Sequence, residues 1–266
     1  MTLDGKSYNS CEVSKNVRRV ALLTFVLLTS LSWKVLGQEA VPAEILQRTI
    51  FIKAGNEAGT AFGVDYQGKM YLVTARHVIA GLPAENATIQ VWQDNQWKDY
   101  HTVKTIFPSS GDVDIAVFET DEKVTNPYSV VTASNGQATM GQQVWFLGYP
   151  WGIASKFKSG KVAPFIKRGT MSAIDTTNPD AIVIYIDGFN NPGFSGGPIV
   201  FWDFSKHTYE ILGVVKGYRE DSAKVFVNGQ HVDTNLLVNS GILVGYSISH
   251  AMKAIEENEK QPKAAK

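Results

Sequence analysis

From about residue 45 to residue 250 the chain is a succession of short runs of β-branched and aromatic residues, each closed off by Gly, Asn, Asp or Pro. That punctuation restricts the fold to an all-β barrel or sandwich, because runs of four to eight residues bounded by turn formers make strands. The runs predict strands at Thr49–Lys53, Thr60–Asp65, Met70–Thr74, Thr88–Trp92, Tyr100–Ile106 and Asp114–Glu119, a first lobe covering about residues 45–125. A second set covers about residues 139–248, at Gln143–Gly148, Gly160–Ala163, Ala181–Asp187, Gly197–Trp202, Tyr209–Val215, Lys224–Val227 and Ile242–Ser247. Thr120–Gly141, rich in small and polar residues, reads as a surface linker between the lobes.

Two hairpin cues stand inside this pattern. Asn228-Gly229 lies between apolar residues, and Asp65-Tyr66-Gln67-Gly68 separates two strand-like runs. Over residues 247–258 the period changes: Ile248, Ala251, Ala254 and Ile255 line one face of a helix, expected to pack on the second lobe. Residues 259–266 are polar and read as a frayed end.

At the N-terminus, Lys15, Arg18 and Arg19 precede an uncharged, mostly apolar run from Val20 to Trp33, followed by the small residue Gly37. This is the order of a secretory signal, so residues 1–37 are expected to be removed and residues 38–266 to be the working domain, secreted or periplasmic. The alternative is an uncleaved anchor, although the run falls short of the ~20 residues a membrane-crossing helix needs. Cys11, the only cysteine, lies in that signal, so the remainder has no disulfide and no thiol nucleophile. His101, His207, His231 and His250 lack the paired spacing of zinc sites, and no metal is expected. With 25 basic and 25 acidic residues, no net charge recruits a polyanion, which argues against a nucleic-acid partner.

Three segments carry chemistry. In Asn191-Pro192-Gly193-Phe194-Ser195-Gly196-Gly197-Pro198, glycines on both sides of Ser195 permit a tight turn whose backbone approaches a substrate. The N–H groups of Gly193 and Ser195 would then converge on a developing oxyanion, where one donor is worth about 3–4 kcal/mol. Alone, the segment is an ordinary Gly-rich turn. His77 ends the Met70–Arg76 run, where its ring can swing into a cleft; alone, it is a structural histidine. Asp112 and Asp114 are both available to orient it. Asp114 opens the apolar run Ile115–Phe118, where a partly buried carboxylate needs a donor such as an imidazole N–H, while Asp112 suits a solvated loop; the bland alternative makes both turn residues.

The order His, Asp, Ser, in Thr74-Ala75-Arg76-His77, Asp114-Ile115-Ala116-Val117 and Gly193-Phe194-Ser195-Gly196-Gly197-Pro198, resembles the trypsin-like (chymotrypsin-fold) serine peptidases. Val144–Gly152, Ile211–Val215 and Gly241–Ser247 make it most similar to the protease domain of the high-temperature-requirement, or Deg-type, enzymes, here without an appended PDZ domain. The resemblance implies two six-stranded antiparallel β-barrels with a C-terminal helix, and a cleft between the barrels that takes polypeptide substrates. It implies a triad of His77, Asp114 and Ser195, an oxyanion hole of Gly193 and Ser195, and a serine endopeptidase that forms an acyl-enzyme and needs no cofactor.

Two residues depart from that pattern. Phe194 stands where digestive relatives carry an aspartate that pairs with a freed N-terminus, and where Deg-type enzymes usually have asparagine. Activation by that ion pair is excluded, and Phe194 is expected to pack inside the second barrel or under the turn. Lys216 falls near the strand that pairs with substrate, as a solvated side chain or one favouring acidic substrates. Phe189, Val215, Lys216 and Gly217, with Tyr246 nearby, are the expected substrate-binding residues, with an uncharged residue preferred on the acyl side of the cut. Two other readings stay open: a catalytically silent, protease-like binding or regulatory module, and an esterase on the same site.

Overall fold

The computed structural model describes residues 40–124, 132–133 and 138–261. The expected signal segment, most of the middle of the expected linker and the last residues of the tail lie outside the described residues. After a short helix α1 (Ala43–Arg48), which the sequence reading lacked, the first sheet is built from β1 (Thr49–Ala54), β2 (Glu57–Tyr66), β3 (Lys69–Thr74), β4 (Thr88–Gln93), β5 (Gln96–His101), β6 (Lys104–Ile106) and β7 (Ala116–Glu119). Its order is β5-β4-β1-β2-β3-β7-β6, and a bridge between Glu85 and Lys104 draws the lead-in of β4 toward β6. The seventh strand arises because the expected run Tyr100–Ile106 breaks at Thr102 into the ends of β5 and β6. Asp94 and Asn95, both at positive φ, make the β4–β5 hairpin, a turn the sequence reading passed over.

The second sheet contains β8 (Thr132–Ala133), β9 (Gln143–Gly148), then, outside it, the two-residue ribbon β10 (Ser155–Lys156) and β11 (Val162–Ala163), and again within it β12 (Phe165–Asp175), β13 (Val183–Asp187), β14 (Pro198–Asp203), β15 (Thr208–Val227) and β16 (Gln230–Ser247). Six of them run β14-β9-β12-β13-β16-β15, and pairing of β15 back onto β14 closes the barrel; β8 adds to β15. β12 was missed because its outward residues are polar and break the apolar run. The β15–β16 hairpin is far longer than expected, and its tip is the expected Asn228-Gly229 pair, at φ of 51° and 79°. Positive φ at both residues is what a two-residue turn matching strand twist demands.

Strand alternation explains why so many runs are apolar throughout. In β3, Met70 and Leu72 point into the first barrel while Tyr71 and Val73 join a core between the barrels. In β9, Val144 and Phe146 fill the second barrel while Trp145 and Leu147 face that same shared core. Side chains alternate faces every residue, so a strand with both faces covered is apolar at every position. Each large side chain so buried contributes roughly 1.5–3 kcal/mol.

The C-terminal helix α2 (Ser249–Lys260) starts two residues later than expected and belongs to both lobes, not to the second alone. Ile248, Ala251, Ala254 and Ile255 enter the shared core. Its far end is clasped to the first barrel, where Glu259 accepts from Lys69 Nζ (2.6 Å) and the Tyr71 hydroxyl (2.6 Å) and Lys104 donates to Asn258. At its start, His250 Nε2 accepts from the Ile182 N–H at 2.8 Å. Among the described residues no helix is long and apolar enough to cross a membrane.

Burial, first, and the nearby Lys253 cation hold the His250 pKa below its ordinary value. Protonation therefore favours the unfolded chain, and the stability His250 contributes is complete above its unfolded pKa of about 6.5 and is lost as pH falls below it. Thermal unfolding should show the melting temperature declining from pH 7.5 to 5.5, and His250→Gln should flatten that slope.

Candidate active site

The three expected residues come from separate elements: His77 and Asp114 line one cleft together with Lys216, whose carbonyl holds the Ser195 hydroxyl. Asp114 lies just before β7, and its backbone carbonyl accepts from the Arg76 N–H. One carboxylate oxygen, Oδ1, accepts the His77 backbone N–H at 2.9 Å, and the other, Oδ2, lies 2.6 Å from His77 Nδ1. That pairing leaves Nδ1 carrying the proton and Nε2 free to accept one. The imidazole is half exposed while the Asp114 side chain is only 15% exposed, so the carboxylate is sheltered and the ring faces solvent. Asp112 is the exposed loop residue expected; its contribution is a backbone carbonyl that accepts the Tyr246 hydroxyl at 2.7 Å, tying this loop to β16.

Ser195 sits on the turn between β13 and β14, and three glycines of this segment explain its shape. A Cβ on Gly193, at φ 103°, would lie 2.3 Å from the Tyr149 carbonyl, one on Gly196 2.1 Å from the Thr60 carbonyl, and one on Gly197 1.9 Å from the Leu147 carbonyl. No side chain fits at those distances. Within the turn, the N–H groups of Phe194, Gly196 and Gly197 donate to Asn191, Val215 and Phe194 carbonyls. Among the described residues, the N–H groups of Gly193 and Ser195 have no acceptor. Two unspent donors separated by one residue are what a developing oxyanion requires.

The Ser195 hydroxyl donates to the Lys216 carbonyl at 3.1 Å and makes no hydrogen bond to His77. His77, Asp114, Lys216, Gly217, Tyr218 and Val244 line one cleft of about 310 Å³, so the imidazole and the hydroxyl's present acceptor face the same space.

Of the expected substrate residues, Lys216 and Gly217 line the cleft. The Lys216 side chain is exposed, with Nζ 5.8 Å from the Tyr246 ring. Val215 does not line it: its side chain is buried in the second barrel, and its N–H and carbonyl are taken by Gly197 and Gly196. Phe189 does not line it either and is 56% exposed. Lys167, which no motif singled out, braces the Phe189 segment: its ammonium donates to the Phe189 carbonyl at 2.7 Å and to Asn191, and partial burial lowers its pKa. Phe194 is fully buried inside the second barrel against Phe146, beneath the turn. Gly148 makes room, since a Cβ there would come within 2.8 Å of Phe194. Among the described residues no three His, Cys, Asp or Glu side chains cluster so as to hold a metal ion.

Thr60 and Tyr149 were also missed. The Thr60 N–H donates to the Ser195 carbonyl at 2.9 Å, its hydroxyl donates to the Gly193 carbonyl at 2.8 Å, and that hydroxyl also accepts the Tyr149 N–H. Tyr149 stacks on Phe51 of β1 and donates its hydroxyl to the Thr49 carbonyl at 2.9 Å. Threonine and tyrosine in strand-rich segments give no sequence signal of such a role.

Residues 59–203 match the family model described as the trypsin-like peptidase domain, and the match covers more than half of the chain. The chain belongs to that family. The trypsin-like domain is similar to Protease Do-like 1, chloroplastic, of Arabidopsis thaliana, at 29% identity over 143 residues, 54% of this chain and 30% of that protein. The chain thus spans under a third of that relative's length. Among solved structures it is similar in fold to the Rv3671c protease of M. tuberculosis in its active form, with a TM-score of 0.53 at 17% identity over 84% of this chain and 86% of that one. It is also similar in fold to the HtrA-type protease AlgW, with a TM-score of 0.51 at 18% identity over 82% of this chain and 63% of that one.

Thr60→Val keeps the shape of the trypsin-like domain's support for the Ser195 turn and removes the hydroxyl, leaving the Tyr149 N–H and the Gly193 carbonyl only their long 3.4 Å bond to each other. The variant should lose about 1 kcal/mol of stability, read by denaturant unfolding.

Proposed function

We propose that the chain is a serine endopeptidase acting outside the cytoplasm through His77, Asp114 and Ser195. The observation that supports the reading best is the pair of unspent N–H donors, at Gly193 and at Ser195 itself, on a turn whose serine hydroxyl is held by Lys216, a residue that lines one cleft with an Asp-paired histidine. Turns held together for structural reasons spend their donors; a turn that keeps two free can offer them to a ligand oxygen.

In the proposed reaction, Ser195 Oγ leaves the Lys216 carbonyl, gives its proton to His77 Nε2 and attacks the scissile carbonyl carbon. The oxygen of that carbonyl gathers negative charge and takes hydrogen bonds from Gly193 and Ser195. His77 then delivers the proton to the leaving amine, the C–N bond breaks, and an acyl-enzyme remains on Ser195; water, deprotonated by His77, releases it. Asp114, bonded to both the backbone and Nδ1 of His77, keeps the ring in the tautomer the transfer needs and offsets the imidazolium charge. Phe194 takes the place of an activating ion pair. As a buried wedge held by Phe146 it supports the turn without a newly freed N-terminus, so the domain would require no cut to organise its oxyanion donors.

The protein should react with a fluorophosphonate probe, with label found on Ser195 by mass spectrometry; Ser195→Ala should take none, and His77→Ala should slow labelling on the order of 10⁴-fold. Equal behaviour of wild type and Ser195→Ala towards probe and peptide would favour the silent binding module instead.

A further inference from the structure

The strand that carries Lys216 does not stop at the cleft. β15 is paired to β14 only as far as Val214, and its next contacts on that edge are Val215 with Gly196 and Gly197 and the Lys216 carbonyl with Ser195. Beyond that point β15 continues to Val227 with β16 on its other edge. Among the described residues, no strand covers its outer edge from Gly217 to Val227. The nine residues Arg219–Val227 carry that edge about 30 Å past the cleft at about 3.3 Å each, with register breaks against β16 between Tyr218 and Glu220 and between Lys224 and Phe226. Ser222 has its N–H held by the neighbouring Asp221 carboxylate at 2.8 Å, a local cap that an incoming strand can replace.

A two-stranded ribbon projecting alone is marginal in water, and an open strand edge is a template for another strand. The side chains on this ribbon are also unusual for a solvated arm. Phe226, Val227, Leu236 and Leu237 are more than half exposed. Leu236 pairs with Ala223 and Leu237 with Ser222, so the two leucines occupy opposite faces, each beside a small residue on the edge strand. A strand added to β15 would place successive side chains on alternate faces, and a bulky one can lean over Ala223 or Ser222 onto the leucine behind it.

We propose that the distal β15–β16 ribbon is an extended docking strand for the acyl side of the substrate, selecting long, unfolded polypeptides with bulky apolar residues upstream of the cut. The inference rests on the peptidase reading of the cleft and deepens it. Continuity favours this occupant: the unpaired edge begins at the carbonyl that touches Ser195. Its direction follows from strand pairing. β15 runs outward from Lys216, so an antiparallel polypeptide runs inward, with its N-terminal part on the ribbon and its scissile bond reaching Ser195.

The test is direct binding to full-length Ser195→Ala, read by fluorescence anisotropy with two labelled peptides sharing one cleavage sequence. One peptide has two residues upstream of the cut, the other nine with leucine at alternate positions. The long peptide should bind on the order of tenfold tighter, a difference of about 1.4 kcal/mol, and adding Leu236→Ser and Leu237→Ser should bring the ratio close to one. Both leucines are exposed, and thermal unfolding of the triple variant checks that the barrel is intact. Equal affinity for the two peptides, or a length advantage that survives the leucine changes, overturns the proposal. So does a wild-type dimer that the leucine changes dissociate without altering the length ratio, which would assign the ribbon to a second copy of the chain. Because binding is read without catalysis, absent fluorophosphonate labelling with the length ratio intact would reject the peptidase and keep the ribbon; labelling without a length ratio would do the reverse.

Discussion

One backbone-and-hydroxyl clasp governs the geometry of this molecule. Thr60, on β2 of the first barrel, holds two carbonyls of the second barrel's Ser195 turn, its N–H on Ser195 and its hydroxyl on Gly193. Both carbonyls are thereby fixed from outside the turn. The clasp keeps the two lobes from sliding at this point, on the same two residues whose N–H groups stay unspent. Buried, fully paired polar contacts of this kind define a unique arrangement more strictly than apolar contact does.

The rest of the interface works by close approach. Gly193, Gly196 and Gly197 let three separate carbonyls come within distances that any Cβ would forbid. Tyr149 reaches back to β1, Tyr246 reaches across to the Asp112 carbonyl, and the C-terminal helix closes over the shared core with its far end on the first barrel. Phe194 fits the same logic. An aromatic ring beneath Ser195 packs on Phe146, and it can do so because Gly148 has no side chain to occupy that volume.

Much of this was legible in the residues, and the misses share a cause. Turn residues announced the all-β fold, the Asn228-Gly229 hairpin and the glycine-flanked serine, since those conformations are demanded locally. The helix boundary shifted by two residues because end residues answer to packing. β12 escaped notice because a strand with one exposed, polar face loses its apolar signature. Val215 is expected at the cleft beside Lys216, yet a strand sends adjacent residues to opposite faces, which puts Val215 in the barrel core; Phe189 lies in the loop after β13, outside any strand pattern. Thr60 carried no signal at all, because a threonine in a strand is what β-propensity alone would supply.

The residues by themselves determined which chemistry is available: an imidazole, a carboxylate, a hydroxyl with glycines around it, and apolar runs able to cover two faces. These are properties of side chains and of local φ and ψ, and they survive without knowledge of what lies across the fold. Only the tertiary structure decided which donors remain free, that the Ser195 hydroxyl rests on Lys216, that Phe194 is buried, and that the strand leaving the cleft runs on with an open edge. Those outcomes depend on contacts between residues far apart in the chain, from 21 positions between Ser195 and Lys216 to 133 between Thr60 and Gly193. No local pattern encodes where such partners meet, because the meeting place is fixed by the packing of whole barrels.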